Sequence, residues 1–529
     1  MSRPAGKARV EKKVTPKSTT PAAGTTKKPA PKAPVKKKPT PVTSSRPALT
    51  KPSTPKSVIE KPAPNKKRQG LSQPISNPAK RLKATALNTP PKEKLDIYVC
   101  GEGESGELGL GPKPIEGKKP THVKRPRLNK LLDASTVGVV QIAAGGMHCV
   151  SLTHDLKIVT WGVNDNGALG RDTTWEAPTR DIDQESNSED SDDEGDLSPK
   201  ESTPIAIPAE SFGKVVPTFV QVAASDSASF ALTSEGLVYG WGTFRANDGI
   251  LGFSTKDTIE GEKTKNPEKN LQRNPVHIPL LKNIVSLAAG NNHMLALDNK
   301  GNVFAWGTGE QDQLGRRVIK RTRSGALTPC RVALSKMKRI ACGAYHCFAI
   351  DERGLVYAWG SNNFGQTGLV DGIGQGDATV LKPSIIEALR PYKIREIQGG
   401  EHHSIACTED GELLIWGRCD DGQAGVKLDE QPRDKCVFDD RNRPRILKPT
   451  VIPGIHAVSV AAGIDDSFAI TLEGKAYSWG FSANYRTGQG TEDPVMEATL
   501  ISQGGAKDKK LTFVGCGGQF SVLAGPAET

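Results

Sequence analysis

The sequence predicts an all-β protein: a seven-bladed β-propeller over residues 95–529, preceded by a disordered basic tail over 1–94. Three observations carry this reading. First, a loop string opening on Trp-Gly or Cys-Gly occurs seven times, its glycine falling at 101, 162, 242, 307, 360, 417 and 480. Second, a strand-like string such as AAGGMHCVSLT (143–153) or ACGAYHCFAID (341–351) recurs in the same period. Hairpins such as TSEGLVYGWG and DERGLVYAWG join the two strings, with glycine at the turn. Third, the strand DIYVCG at 96–101 has no such string before it, and the string at 515–525 has no Trp-Gly strand after it. The N-terminal strand therefore completes the C-terminal blade, and a closed ring leaves no sheet edge to aggregate.

The elements follow in chain order. Residues 1–94 hold 17 prolines, 24 Lys or Arg, 3 Glu and no aromatic residue. Such a segment cannot bury enough apolar surface to offset chain entropy, so it is expected to be disordered. Its charge of +21 (24 − 3) against +12 for the whole chain leaves −9 on the body. A basic, extended arm suits DNA phosphates through counterion release. Lys66, Lys67 and Arg68, then Lys80, Arg81 and Lys83, form two basic clusters spaced like a bipartite nuclear import signal read by an import receptor. The start has no apolar signal region and no 18-residue apolar run occurs, so no membrane role is expected.

In the ring, β-branched and aromatic alternation marks strands. Glycine permits the positive φ of the hairpin turns. One Trp per repeat is read as a blade-packing residue. His148, His293, His346 and His403 share one column, filled elsewhere by Ala228, Asp466 and Phe520. With one His per blade and nine scattered cysteines lacking a CxxC, no metal site is expected. The GEGESG string at 101–106 matches a dinucleotide fingerprint but opens no helix and sets glutamates where a pyrophosphate would lie. Walker-type, HExxH and GxSxG strings are missing, so neither covalent chemistry nor a cofactor is expected. The second repeat gap, the longest, holds an acidic insertion over 171–204, whose stretch 181–200 has nine acids and one Lys. It reads as a solvated loop, or as a lure that competes with DNA for the basic tail. One loop, WGTFRANDGILG at 241–252, is two residues longer than its ten-residue siblings.

The repeat AAGxxHxxxLT…GxVYxWGxNxxGQLG resembles the regulator of chromosome condensation family across residues 95–529, and the basic tail matches too. The resemblance implies a guanine nucleotide exchange factor for the nuclear GTPase Ran, held on chromatin. In it the long loop, with Phe244, Arg245, Asn247, Asp248, Gly249 and Ile250, is the wedge that enters near the GTPase phosphate-binding loop. Glu104, His148, Asp226, Asn292, His402 and His403 match further GTPase-contacting positions. Arg321 and Arg323, in the stretch GRRVIKRTRS, match a loop that grips the acidic patch of the histone dimer. Glu104 and Asn292 depart from the family's aspartate and acid, Ala246 from an acid and Phe520 from a histidine. A chromatin-binding scaffold propeller without exchange activity is the alternative reading.

Overall fold

The structure, a computed structural model, describes residues 86–115, 117–177, 197–254 and 271–528. Its strands form seven antiparallel sheets of four or five strands and one separate two-stranded hairpin. Blade 1 is built from both ends of the chain: Leu95–Glu102 and His122–Leu128 pair with Phe520–Pro526 and Phe513–Cys516. Leu95 lies opposite Pro526 and Gly101 opposite Phe520, so the closing strands are in register along their length. Blades 2 to 7 begin with the inner strands Val139–Ala144, Phe219–Ala224, Ile284–Ala289, Met337–Cys342, Ile394–Gly399 and Ala457–Ala462. The ring is the seven-bladed propeller that the repeats require.

One polar device recurs at the junctions where a histidine fills the column. A strand start in one blade carries the column histidine. Its Nε2 reaches a hydroxyl or thiol on the next blade, which donates to a carbonyl in the post-Trp loop. The next blade's indole N–H donates to the same carbonyl. His148 meets Ser229 at 2.9 Å, Ser229 Oγ donates to the Ala168 carbonyl at 2.7 Å, and Trp241 Nε1 donates there at 2.7 Å. His346, Ser404 and Trp416 repeat this on the Gln366 carbonyl. At the seam between blades 7 and 1, Ser521 and Cys100 take the hydroxyl and indole places on the Arg486 carbonyl. Six tryptophans are fully enclosed. The indoles thus fill volume and also satisfy buried loop carbonyls that would otherwise be costly.

The folded body starts earlier than residue 95. The Leu87 and Asn88 amides donate to the Ser234 carbonyl at 2.7 and 3.0 Å, and Asn88 Nδ2 donates to the Thr233 and Ile284 carbonyls. A side-chain amide answering open carbonyls between blades 3 and 4 overrides the tail-like composition around it. The import signal at 66–83 lies outside the described residues, as does 178–196 of the acidic insertion. The feet of that insertion are fastened: Thr173 donates to Glu201 at 2.8 Å and Lys200 to the Thr174 carbonyl at 2.7 Å. Among the described residues no helix is long and apolar enough to cross a membrane.

Candidate functional site

Each blade presents two turns on one face of the ring: the Gly-rich turn before the column residue and the loop after the Trp-Gly strand. The long loop belongs to blade 3. It forms its own hairpin, Phe244–Ala246 against Gly249–Gly252, with Asn247 and Asp248 at the turn. Gly249 has φ +117°, a conformation that side-chain-bearing residues rarely adopt. Arg245, Asn247, Asp248 and Ile250 are exposed on the projecting part. Phe244 is not: it is fully buried and stacks on Phe230 and Phe253, with centroids 6.0 and 6.1 Å away. It anchors the wedge and cannot itself be a contact, because its ring has no free face.

Blade 4 holds the hairpin upright. Asn292 Oδ1 accepts from the Arg245 amide at 2.7 Å, Glu310 Oε2 accepts from the Asn247 amide at 2.9 Å, and Thr308 Oγ1 donates to the Arg245 carbonyl at 2.6 Å. A cleft of about 220 Å³ lies beside it, lined by Asp226, Arg245, Asn247, Asn292, Glu310 and Tyr345 among others. Asp226 and the wedge are therefore brought to one place. Further round the face, Glu104 lies 3.5 Å from His122, and half-buried His402 packs 4.7 Å from the Phe364 ring. Arg418 and Arg445 stand over the same ring, and Arg418 also pairs with Asp420 at 2.6 Å and with Asp465 at 3.5 Å. Burial, reinforced by Asp465, pushes the Glu401 carboxyl up, while burial holds the His402 imidazole below its ordinary value against the pull of Asp465. The face combines a projecting polar hairpin with a rim of carboxylates around a central cavity of about 160 Å³. It offers surfaces for a protein partner.

The RCC1-like domain model matches residues 96–523. The protein belongs to the RCC1-like domain family. It is 41% identical over 85% of its length to the guanine nucleotide exchange factor SRM1 of Saccharomyces cerevisiae, and covers 91% of that protein. The crystal structure of Prp20p from the same yeast, described with its binding properties to Gsp1p and histones, superposes with a TM-score of 0.72 at 39% identity, over 83% of this chain and 92% of that one. A crystal structure of Kap60 bound to yeast RCC1 (Prp20) gives a TM-score of 0.73 at 38% identity, covering 87% and 97%.

Within this RCC1-like ring, three expectations need correction. His148 and His403 are enclosed, with Nε2 committed to Ser229 and Ser467. Burial pushes both imidazoles down to a pKa of about 4. They are neutral links between blades and have no surface to give a GTPase; of the paired histidines only His402 reaches the face. Phe244 is the anchor described above. The sequence spacing also predicted no convergent metal ligands, yet the ring brings His293 of blade 4 against Cys342 and Cys347 of blade 5. Arg321 is exposed on a 3-10 turn over Lys320–Leu327. The Arg323 side chain lies outside the described residues. Sequence reasoning missed Glu310, Thr308, Arg418 and Phe364. Their signal is faint, since each sits in a loop position that varies from blade to blade.

Proposed function

We propose that this protein is a guanine nucleotide exchange factor for a Ran-type GTPase, acting in the nucleus while bound to chromatin. The observation that carries the reading is the blade 3 hairpin, held upright by Asn292, Thr308 and Glu310 beside Asp226. A GTPase grips its nucleotide with backbone amides, a lysine and Mg²⁺ around the phosphates. Asn247 and Asp248, at the tip of a pre-positioned hairpin, offer competing polar groups to that cradle. No bond is made or broken. The factor binds the nucleotide-free GTPase more tightly than the loaded one, and that difference speeds release. The surrounding nucleotide pool then sets the direction. The excess of acids on the body suits a basic partner surface and raises the encounter rate.

Chromatin is engaged separately. Arg321 and Arg323 suit the acidic patch of a histone dimer through guanidinium–carboxylate pairing. The basic tail adds sequence-independent DNA contacts, and its import clusters take an import receptor. The tail's root at Leu87 and Asn88 supports simultaneous use of both partners. It is fixed to the Ser234 turn, at the end of the blade away from the wedge.

The test is release of fluorescent GDP from Ran by wild type and by the variant with Asn247→Ala and Asp248→Ala. Loss of two polar contacts of about 1–1.5 kcal/mol each corresponds to roughly a 30- to 150-fold slower release. No acceleration by wild type would leave the scaffold reading. Full acceleration by the variant would return the long loop to a mere length variation.

A further inference from the structure

Blade 5 brings two column cysteines together at its junction with blade 4. Cys347 stands in the column of Ser229, Ser404, Ser467 and Ser521, where blade 2 has Cys149, and Cys342 in the column of Ala144, Ala224, Ala289 and Ala462, where blade 1 has Cys516; blade 5 alone carries both. The two cysteines face each other across the strand pair Met337–Cys342 and His346–Asp351. His293 Nε2 lies 3.0 Å from Cys347 Sγ, and the three donor atoms all fall within 4.8 Å of one another. All three side chains are buried.

We propose that His293, Cys342 and Cys347 form a zinc site that clamps blade 4 to blade 5. Zinc–ligand bonds of about 2.0–2.3 Å put tetrahedral S and N donors roughly 3.5–3.8 Å apart, inside the span of this cluster. Two thiolates, one neutral imidazole and Zn²⁺ sum to zero charge, which suits a buried position. Cu⁺ in the same set would leave an uncompensated negative charge in a low-dielectric interior. Cys342 also lines the central cavity, so the site has an entry path and its fourth position opens toward that cavity. The site has a structural consequence: Cys347 otherwise donates to the Gln313 carbonyl, and Gln313 lines the cleft beside the wedge.

The repeat itself supplies benign controls. Cys342→Ala and Cys347→Ser install the residues that other blades use, so both variants are expected to keep the fold and melting behaviour of metal-free wild type. The full chain, reduced and stripped with a chelator, would be titrated with Co²⁺ alone. The expected result is one Co²⁺ per chain, with tetrahedral d–d bands and thiolate charge-transfer absorption. Zn²⁺ should displace the cobalt, and both variants should lose the signal. Zn²⁺ should also raise the melting temperature of wild type and not of the variants. Absence of the charge-transfer band, its persistence in either variant, or uptake of Cu⁺ with no Zn²⁺ competition would overturn the assignment. So would a Cys342–Cys347 disulfide in protein isolated under reducing conditions.

Discussion

The junction between blades 5 and 6 and the junction between blades 3 and 4 solve the same packing problem by opposite means. In the first, His346, Ser404, the Gln366 carbonyl and Trp416 form a polar chain, and the post-Trp loop is drawn down into the ring to supply the carbonyl. In the second, the places of His346 and Ser404 are taken by Ala228 and Met294, whose side chains cannot take part in such a chain. Phe230, Phe244, Phe253 and the edge of Trp306 fill the space with stacked and T-shaped rings. The residue in the place of Gln366 is Ile250, which is exposed on the hairpin. The lesson is that the long loop did not simply gain two residues. Its latch was exchanged for an apolar anchor at its root, and its tip was thereby released to project.

The comparison can be broken at several points, and the largest effect is expected at the anchor. Phe244→Ala should cost about 3–5 kcal/mol in a denaturant titration, because it empties the centre of the aromatic stack, and it should abolish accelerated GDP release. An unchanged midpoint would mean that the rings do not replace the polar chain. His403→Ala should cost about 1–3 kcal/mol by leaving a buried hydroxyl without its partner. Exchange per folded molecule should stay at the wild-type level, and a fall in exchange at unchanged stability would instead make His403 a contact.

Asp466 sharpens the contrast through pH. It fills the histidine column at the seam of blades 7 and 1. Burial pushes its carboxyl up to about 7, against the pull of Arg486. A carboxyl raised in the folded state holds its proton more tightly there, so its contribution is full below about pH 4 and is lost as pH rises through about 7. Asp466→Asn is permanently neutral. It should raise the melting temperature at pH 8 by about 2 °C or more and change it little at pH 4. An equal shift at both pH values would show that the charge is not the cause. The smallest effect belongs to the clamp: Glu310→Ala should slow GDP release roughly 3- to 10-fold, from one lost hydrogen bond, at an unaltered melting temperature. A drop in melting temperature would mean that Glu310 supports the ring and not the hairpin.

The ring was legible because its evidence is one-dimensional. The orphan strand at 96–101 and the orphan string at 515–525 can be matched by eye, and they pair along their length. What the hairpin leans on was not, because Asn292 and Glu310 come from the next blade, 47 and 63 residues from their hydrogen-bond partners, and carry no motif. His293 and Cys342 are hidden in the same way: each looks ordinary within its own repeat, and only the ring sets them side by side. Asn88 was masked by its neighbours, since Lys/Pro-rich composition says nothing about one asparagine whose side-chain amide finds two carbonyls and whose backbone amide finds a third.

Blade 1 also imposes an order on the molecule's birth. The strand Leu95–Glu102, mostly buried in the finished ring, leaves the ribosome long before Phe520–Pro526, the strand that covers it. At ordinary synthesis rates of about 5–20 residues per second, the roughly 420 intervening residues represent a wait of about 20–80 s. For that time Ile97, Val99 and Cys100 sit on an unsealed edge while blades 2 to 7 are assembled beside it. The first strand among the described residues is thus among the last to be secured. A nascent chain halted before Phe520 would present an adhesive strand to chaperones and to its own copies, so the seam that closes the finished ring is also a point of exposure during synthesis.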